Sequence, residues 1–312
     1  MEQGQHSQPH APQHAAASAE EMRKGWYDRW YKALLLIPLI VLAVCVVYLV
    51  MFYRLHGDIM LKDVSLSGGT TITLRGVTLE SEALEQQLAE QVPDVGVRTI
   101  TELRTGKRLA VIVESGTEPE KLQAAIEEAL GTRLTKEDAT VEFTGPTLSL
   151  TFYRQLMGAL VFSFVLICIV IFVLFRAWVP SLAVVFSIVG DIIIPLTLVN
   201  IMGVKLSAAG IAAFLMLIGY SVDTNILLTT RVLKKREGSV NERIAGAFKT
   251  GMLMTATGLL AVAPAFFVVT GLPDTFRQIF LVLALGLVSD ILTTWIANAS
   301  MIKWYVNSRR MV

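Results

Sequence analysis

The chain has 312 residues, 54% hydrophobic and 17% charged, with a formal net charge of +1. Soluble domains average about 25% charged, so the composition points to a membrane protein. No basic and aromatic patch suggests nucleic acid as a partner. The two cysteines, Cys45 and Cys168, both fall in apolar runs. That leaves neither a disulfide framework nor a Cys/His metal cluster, and no metal or other cofactor is expected.

In chain order, residues 1–24 read as a disordered cytoplasmic tail, rich in Gln, His, Ala, Pro and Ser at its start and without apolar periodicity. His6, His10 and His14 recur every fourth residue, a spacing that could gather them on one helix face. Pro9 and Pro12 argue against a helix there, and so against a chelating site. Residues 25–54 form a first transmembrane helix, entered through an interfacial belt of Trp26, Tyr27, Trp30 and Tyr31 beside Arg29 and Lys32. Its apolar run, Ala33–Tyr53, is too long for a signal-peptide core and lacks a small-x-small site after it, so it reads as an uncleaved anchor.

Residues 55–153 are predicted to form an extracytoplasmic domain. Thr70–Arg75 alternates like a strand after Gly68-Gly69, and Leu79–Gln91 has helical spacing with Ser81 as a cap. Val95–Leu103 alternates again, and Thr105-Gly106-Lys107 turns the chain into strand Arg108–Glu114. Glu118–Leu130 is a second helix stopped by Gly131, and Ala139–Thr144 a last strand. The order βαββαβ predicts a ferredoxin-like α+β domain, a four-stranded sheet with two helices on one face. It carries no catalytic constellation and reads as a binding or docking module.

Residues 154–304 hold five further helices, with apolar runs at Leu156–Phe175, Pro180–Met202, Ser207–Thr230, Gly251–Thr270 and Phe276–Ile302. A helix crosses the hydrocarbon core with about 20 apolar residues, so the fold class is a polytopic α-helical membrane protein of six spans. Pro195 and Pro264 should loosen their helices. The small residues of spans four and five should let those two pack closely. Basic residues cluster beside one set of span ends: Arg23, Lys24, Arg29 and Lys32; Arg176; Arg231 to Lys249; and Lys303 to Arg310. By the positive-inside rule both termini, including the tail 305–312, are cytoplasmic and the large loop lies outside.

Three carboxylates interrupt these runs: Asp191 in span three, Asp223 in span four and Asp290 in span six. Each costs about 2.5–3.5 kcal/mol at mid-bilayer on insertion scales, so ion or proton handling is the leading reading and Asp223 its first candidate. Gly219, Tyr220, Ser221, Thr224 and Asn225 surround Asp223 in sequence and supply polar or small neighbours. No Lys, Arg or His lies at similar depth, so the acids are held neutral or a partner chain supplies positive charge. The bland alternatives are hydrogen bonding between helices and cavity lining.

The segment Gly219-Tyr220-Ser221-Val222-Asp223-Thr224-Asn225, with the basic exit Arg231-Val232-Leu233-Lys234-Lys235-Arg236, resembles the fourth-span signature of the SecD/SecF protein-export family, on its SecF side and nearest the archaeal form. Ser67-Gly68-Gly69-Thr70 is similar to the Gly-Gly-Thr that opens that family's outer domain. Gly190-Asp191 is similar to its third-span His-Asp, with Gly in place of His. The resemblance covers about Tyr27 to Arg310.

It implies a fold shared with resistance-nodulation-division transporters and a non-enzymatic accessory subunit that acts with SecD beside the Sec translocon, the SecY/SecE channel. Implied partners are SecD, the translocon, translocating polypeptides and membrane lipid. The implied role is late-stage protein export and membrane insertion, with the motif's aspartate using the proton motive force. Bacterial members also carry a basic residue in a late span, and here none is present at depth. Two alternatives stand beside this: a subunit of a small-molecule exporter of the same superfamily, and a structural subunit that positions the translocon without ion coupling. With no Walker A loop in the chain, ATP is not its energy source.

Overall fold

The computed structural model describes residues 11–76, 81–101, 108–135, 138–234, 238–268 and 274–309. Among the described residues, six helical stretches are long and apolar enough to cross a membrane: Arg29–His56, Pro146–Phe175, Trp178–Ile201, Ala208–Lys234, Val240–Ala265 and Phe276–Ser308. They coincide with the six apolar runs. Helix α1 (Ala11–His56) begins well before the membrane, where composition predicts a disordered tail. The Ala-rich run and the Glu, Met, Arg and Lys after it are good helix formers, and Pro12 sits in the first turn, where its missing N–H costs nothing. His6 and His10 lie outside the described residues.

Between the first two spans come α2 (Val64–Ser67), β1 (Gly69–Arg75), α3 (Ser81–Ala89), β2 (Gly96–Thr101), β3 (Arg108–Ser115), α4 (Pro119–Leu130) and β4 (Ala139–Thr144). The order βαββαβ is the one the sequence predicts, preceded by the short α2 that it does not. The predicted turn at Thr105–Lys107 lies outside the described residues. The strands form one antiparallel sheet in the order β2-β3-β1-β4. Alternation sends Ile72, Leu74, Val97, Val111 and Val113 to one face, where Leu84 and Leu88 of α3 and Leu122 and Ile126 of α4 cover them.

The glycine pair that opens β1 has a steric reason. A Cβ on Gly68 would lie 2.6 Å from the Pro146 Cα, and one on Gly69 would lie 2.3 Å from the Ser115 carbonyl oxygen. Both also have positive φ, +84° and +138°. The strand entering the sheet thus runs against the first residue of span two. Thr70 fixes the same corner by donating to the Thr117 carbonyl at 2.7 Å.

The remaining helices are α5 (Pro146–Phe175), α6 (Trp178–Ile201), α7 (Ala208–Lys234), α8 (Val240–Val268), α9 (Asp274–Leu292) and α10 (Ala299–Ser308). A π-helical segment, Thr293–Asn298, joins α9 to α10. At about 1.5 Å per residue this last span exceeds the hydrocarbon core and extends beyond it. Helices α6 and α7 and the last span form the buried centre, whereas α1 and α5 line its rim and expose Ile40, Val47, Phe162 and Ile169. The small residues of α8 serve the last span more than α7: a Cβ on Gly251 would meet the Trp295 ring at 2.1 Å, and one on Gly258 would meet Leu287 at 3.3 Å.

The sheet domain is fastened to the bundle through the chain just before α2. The Asn200 amide donates to the Ile59 carbonyl at 2.8 Å, and Leu206 N–H to the Leu61 carbonyl at 2.7 Å. Asp63 N–H donates to the Leu206 carbonyl at 3.0 Å, and Ala208 N–H to Ser65 Oγ at 3.3 Å. Gln278 of α9 closes the joint, accepting from Ser207 N–H at 2.8 Å and donating to the Lys205 carbonyl at 2.9 Å. Burial in this joint pushes the Asp63 carboxyl up from its ordinary range, although Ser65 donates to it. A cleft of about 590 Å³ beside the joint is lined by Glu85, Asp94, Arg98 and Glu114 of the sheet domain and by Lys205 and Arg277 of the bundle.

Candidate functional site

The structure brings two of the three intramembrane acids together and sets the third apart. Asp191 of α6 and Asp290 of α9 are both 0% exposed and lie close enough to interact electrostatically. Asp223 is exposed on the outer face of α7. Helix phase gives the reason. At about 100° per residue, Ser221, Thr224 and Asn225 share one face of α7, and Asp223 falls on the opposite one. Ser221, Thr224 and Asn225 are buried, while Met216, Gly219 and Asp223 make an exposed stripe. Tyr220 leaves α7 toward α8, its hydroxyl 3.8 Å from where a Cβ on Gly258 would stand.

Each buried carboxylate sits in a shell of hydroxyls. Ser221 donates to Asp191 Oδ2, and Thr293 donates to Asp191 Oδ1 at 2.5 Å. Thr224 bonds both oxygens of Asp290, at 2.9 and 3.1 Å, and Thr294 donates to Asp290 Oδ1 at 2.7 Å. Thr293 and Thr294 open the π-helical segment. Thr293 serves Asp191, while Thr294, one turn after Asp290, serves that acid.

Two of these hydroxyls have a second acceptor. Thr224 Oγ1 is 2.9 Å from the Ser221 carbonyl, and Thr293 Oγ1 is 3.2 Å from the Ser289 carbonyl. A hydroxyl has one proton to donate and lone pairs to accept with. Facing a carboxylate, Thr224 donates to it; facing a carboxylic acid, it turns its proton to the backbone and accepts the acid's. The shell therefore satisfies both protonation states without moving a helix. Below it, Asn225 donates to the Ser221 carbonyl at 2.8 Å, and Asn298 donates to Asn225 Oδ1 at 2.5 Å.

The sequence pointed to Asp191, Asp290, Ser221, Thr224 and Asn225 as site candidates but centred them on Asp223; the buried cluster centres on the other two acids. It also missed Thr293 and Asn298. Both are polar residues in an apolar run after Asp290, a signal that α-helical spacing alone obscures because the turn between them is π. Lys303, read from the sequence as a basic residue at a span end, is 1% exposed beneath Tyr31, its Nζ 5.0 Å from the ring centre. It lies about 20 Å along the helix from Asp290 at about 1.5 Å per residue, too far to pair with it.

Gly190 permits the close approach of α6. A Cβ there would lie 2.7 Å from Thr293 Cγ2. Gly190→Ala is expected to displace Thr293 from Asp191 and to destabilise the bundle by about 1–3 kcal/mol, as overpacking generally does. Denaturant titration of the detergent-solubilised protein measures this, and an unchanged midpoint would refute the contact.

Fold and site together define a six-span helical membrane protein with an α+β domain between its first two spans and a paired acid site in its core. Residues 125–308 match the family described as protein export membrane protein SecD/SecF, C-terminal. The protein-export membrane protein SecF of Pyrococcus furiosus is 37% identical over 279 residues, covering 89% of this chain and 92% of that one. That of Methanothermobacter thermautotrophicus is 37% identical over 282 residues, covering 89% and 94%. SecDF from Thermus thermophilus, a translocon-associated membrane protein, is similar in structure with a TM-score of 0.69 at 19% identity. That match covers 89% of this chain but 38% of that one, and it shows a common fold. The chain belongs to the SecD/SecF protein-export family, as a SecF-type member.

Proposed function

We propose that this protein is an accessory subunit of the Sec translocation machinery that acts with SecD and couples proton movement to export through Asp191 and Asp290. The observation that carries the reading is the hydroxyl shell around two fully buried acids, built so that either protonation state is hydrogen-bonded. A pair used only to glue helices together needs one state. With both termini cytoplasmic, the sheet domain lies outside, where it meets translocating polypeptides and the SecY/SecE channel.

Asp223 has a different part in this reading. An ionised carboxylate on an exposed face of a membrane helix is too costly to leave against lipid. The neighbouring Gly219 and the half-buried Ala209 and Ala212 allow another helix to come close. We place SecD on this face, supplying the polar or positive group that this chain lacks there. The outward position of Asp223 also favours a second reading, in which this acid serves assembly alone and the chain positions SecD and the translocon.

The test uses cells that depend on this chain for export of a reporter. Under the coupling reading, export falls when the proton gradient is collapsed. Asp191→Asn or Asp290→Asn gives the same low export with or without the gradient. Wild-type export that ignores the gradient leaves the positioning reading. Drug accumulation that rises on deletion, with export intact, leaves the small-molecule exporter.

A further inference from the structure

Polar atoms around the acid pair are distributed unevenly along the bundle. From Asp191, α6 runs toward the chain termini through Ser187, one turn away. From Ser221, α7 runs the same way to Asn225 and then Thr229, and the last span runs from Thr293 to Asn298 in one π turn. Ser187, Asn225, Thr229 and Asn298 are each 0% exposed. Asn225 and Asn298 bond to one another, yet Ser187 Oγ, Asn298 Oδ1 and Thr229 Oγ1 have no hydrogen-bond partner among the described residues.

In the opposite direction, toward the sheet domain, the same three helices present Leu196, Phe214, Leu217 and Val282, all 6% exposed or less. The packing there is tight: a Cβ on Gly286 would lie 2.3 Å from Leu217. Thr197 is buried in this half but bonds back to the Ile193 carbonyl of its own helix at 2.8 Å. Toward the sheet domain an apolar layer comes first, and the orphaned Asn200 Oδ1 lies beyond it, about 14 Å along α6 from Asp191 at about 1.5 Å per residue. Toward the termini, Ser187, Asn298 and Thr229 place orphaned polar atoms in the layers directly beside the acids.

Buried polar atoms are almost always hydrogen-bonded, by protein or by ordered water that makes two to four bonds in a polar site. We infer that Ser187, Asn298 and Thr229 hold ordered water that connects the Asp191–Asp290 pair to the termini side of the bundle and to that side only. A proton leaving a carboxyl there breaks its O–H bond and forms one to the adjacent water, giving a carboxylate and a hydronium ion. The inference deepens the coupling reading and rests on it for its purpose, though the water layer itself is measured independently. Leu228, Val232 and Ile302, each at most 1% exposed, narrow the way beyond Thr229.

The test is side-specific cysteine accessibility in membranes holding the full chain with SecD. Cys45 and Cys168 are first replaced by Ala, and Ser187→Cys, Thr229→Cys and Val282→Cys are then introduced singly. Variants that give a monodisperse gel-filtration profile are treated with a small charged methanethiosulfonate from each face of sealed vesicles, with a protease-accessible C-terminal tag marking the termini face. Ser187→Cys and Thr229→Cys are expected to react at least about tenfold faster than Val282→Cys, and from the termini face alone. Equal rates at all three positions, or reaction from the sheet-domain face, would overturn the inference. If the labelling pattern holds while export is insensitive to Asp191→Asn and Asp290→Asn, the coupling reading falls and the water layer stands.

Discussion

Asp290→Asn is expected to lower reporter export by about tenfold or more, equivalent to about 1.4 kcal/mol on the limiting barrier, while leaving the fold intact. The amide has the shape of the protonated acid. Its Nδ2 can donate to Thr224 Oγ1, which then donates to the Ser221 carbonyl 2.9 Å away, and its Oδ1 still accepts from Thr294. What it cannot do is release a proton. Asp290→Leu is expected to behave differently, because it removes the partner of Thr224 and Thr294 in a fully buried site. That costs about 1–3 kcal/mol for each hydroxyl that finds no other acceptor, read as a lower denaturation midpoint as well as lost export. Asparagine that exports normally would remove Asp290 from any coupling role.

The second large effect is at Asp223, with the opposite signature. Because this side chain is exposed and makes no hydrogen bond among the described residues, Asp223→Leu is expected to change the stability of the isolated chain by no more than about 0.5 kcal/mol. Binding to SecD should weaken by about tenfold or more, about 1.4 kcal/mol, and export with it. Co-purification from detergent, followed as a function of dilution, measures the loss. A complex that survives Asp223→Leu unchanged would leave this face to lipid and require another account of the acid.

The spans were legible because membrane helices announce themselves by length and apolar content, and the sheet domain because alternation and helical spacing switch cleanly between Thr70 and Thr144. The division among the acids was half legible. Phase alone separates Asp223 from Ser221, Thr224 and Asn225, but both faces of α7 carry small and apolar residues, so nothing local says which one turns inward. Packing against α6 and the last span decides it. The π-helical turn was not legible: Asn298 follows Thr293 by five residues, a departure from the spacing that sequence patterns assume, whereas Thr294 stands one ordinary turn after Asp290. The helix back to Ala11 follows the helix propensity of its alanines, which the polar composition of the tail hides.

The joint beneath the sheet domain gives the molecule a mechanical property. Its hydrogen bonds end on Asn200 of α6, Ala208 of α7 and Gln278 of α9. These are the three helices that present Asp191, Ser221 with Thr224, and Asp290. Each attachment lies about 14–20 Å along its helix from the acid layer at about 1.5 Å per residue. A pull on the sheet domain is expected to reach all three rods at once, and any difference in how far each slides would alter the carboxyl spacing at their crossing. Load and charge share one frame.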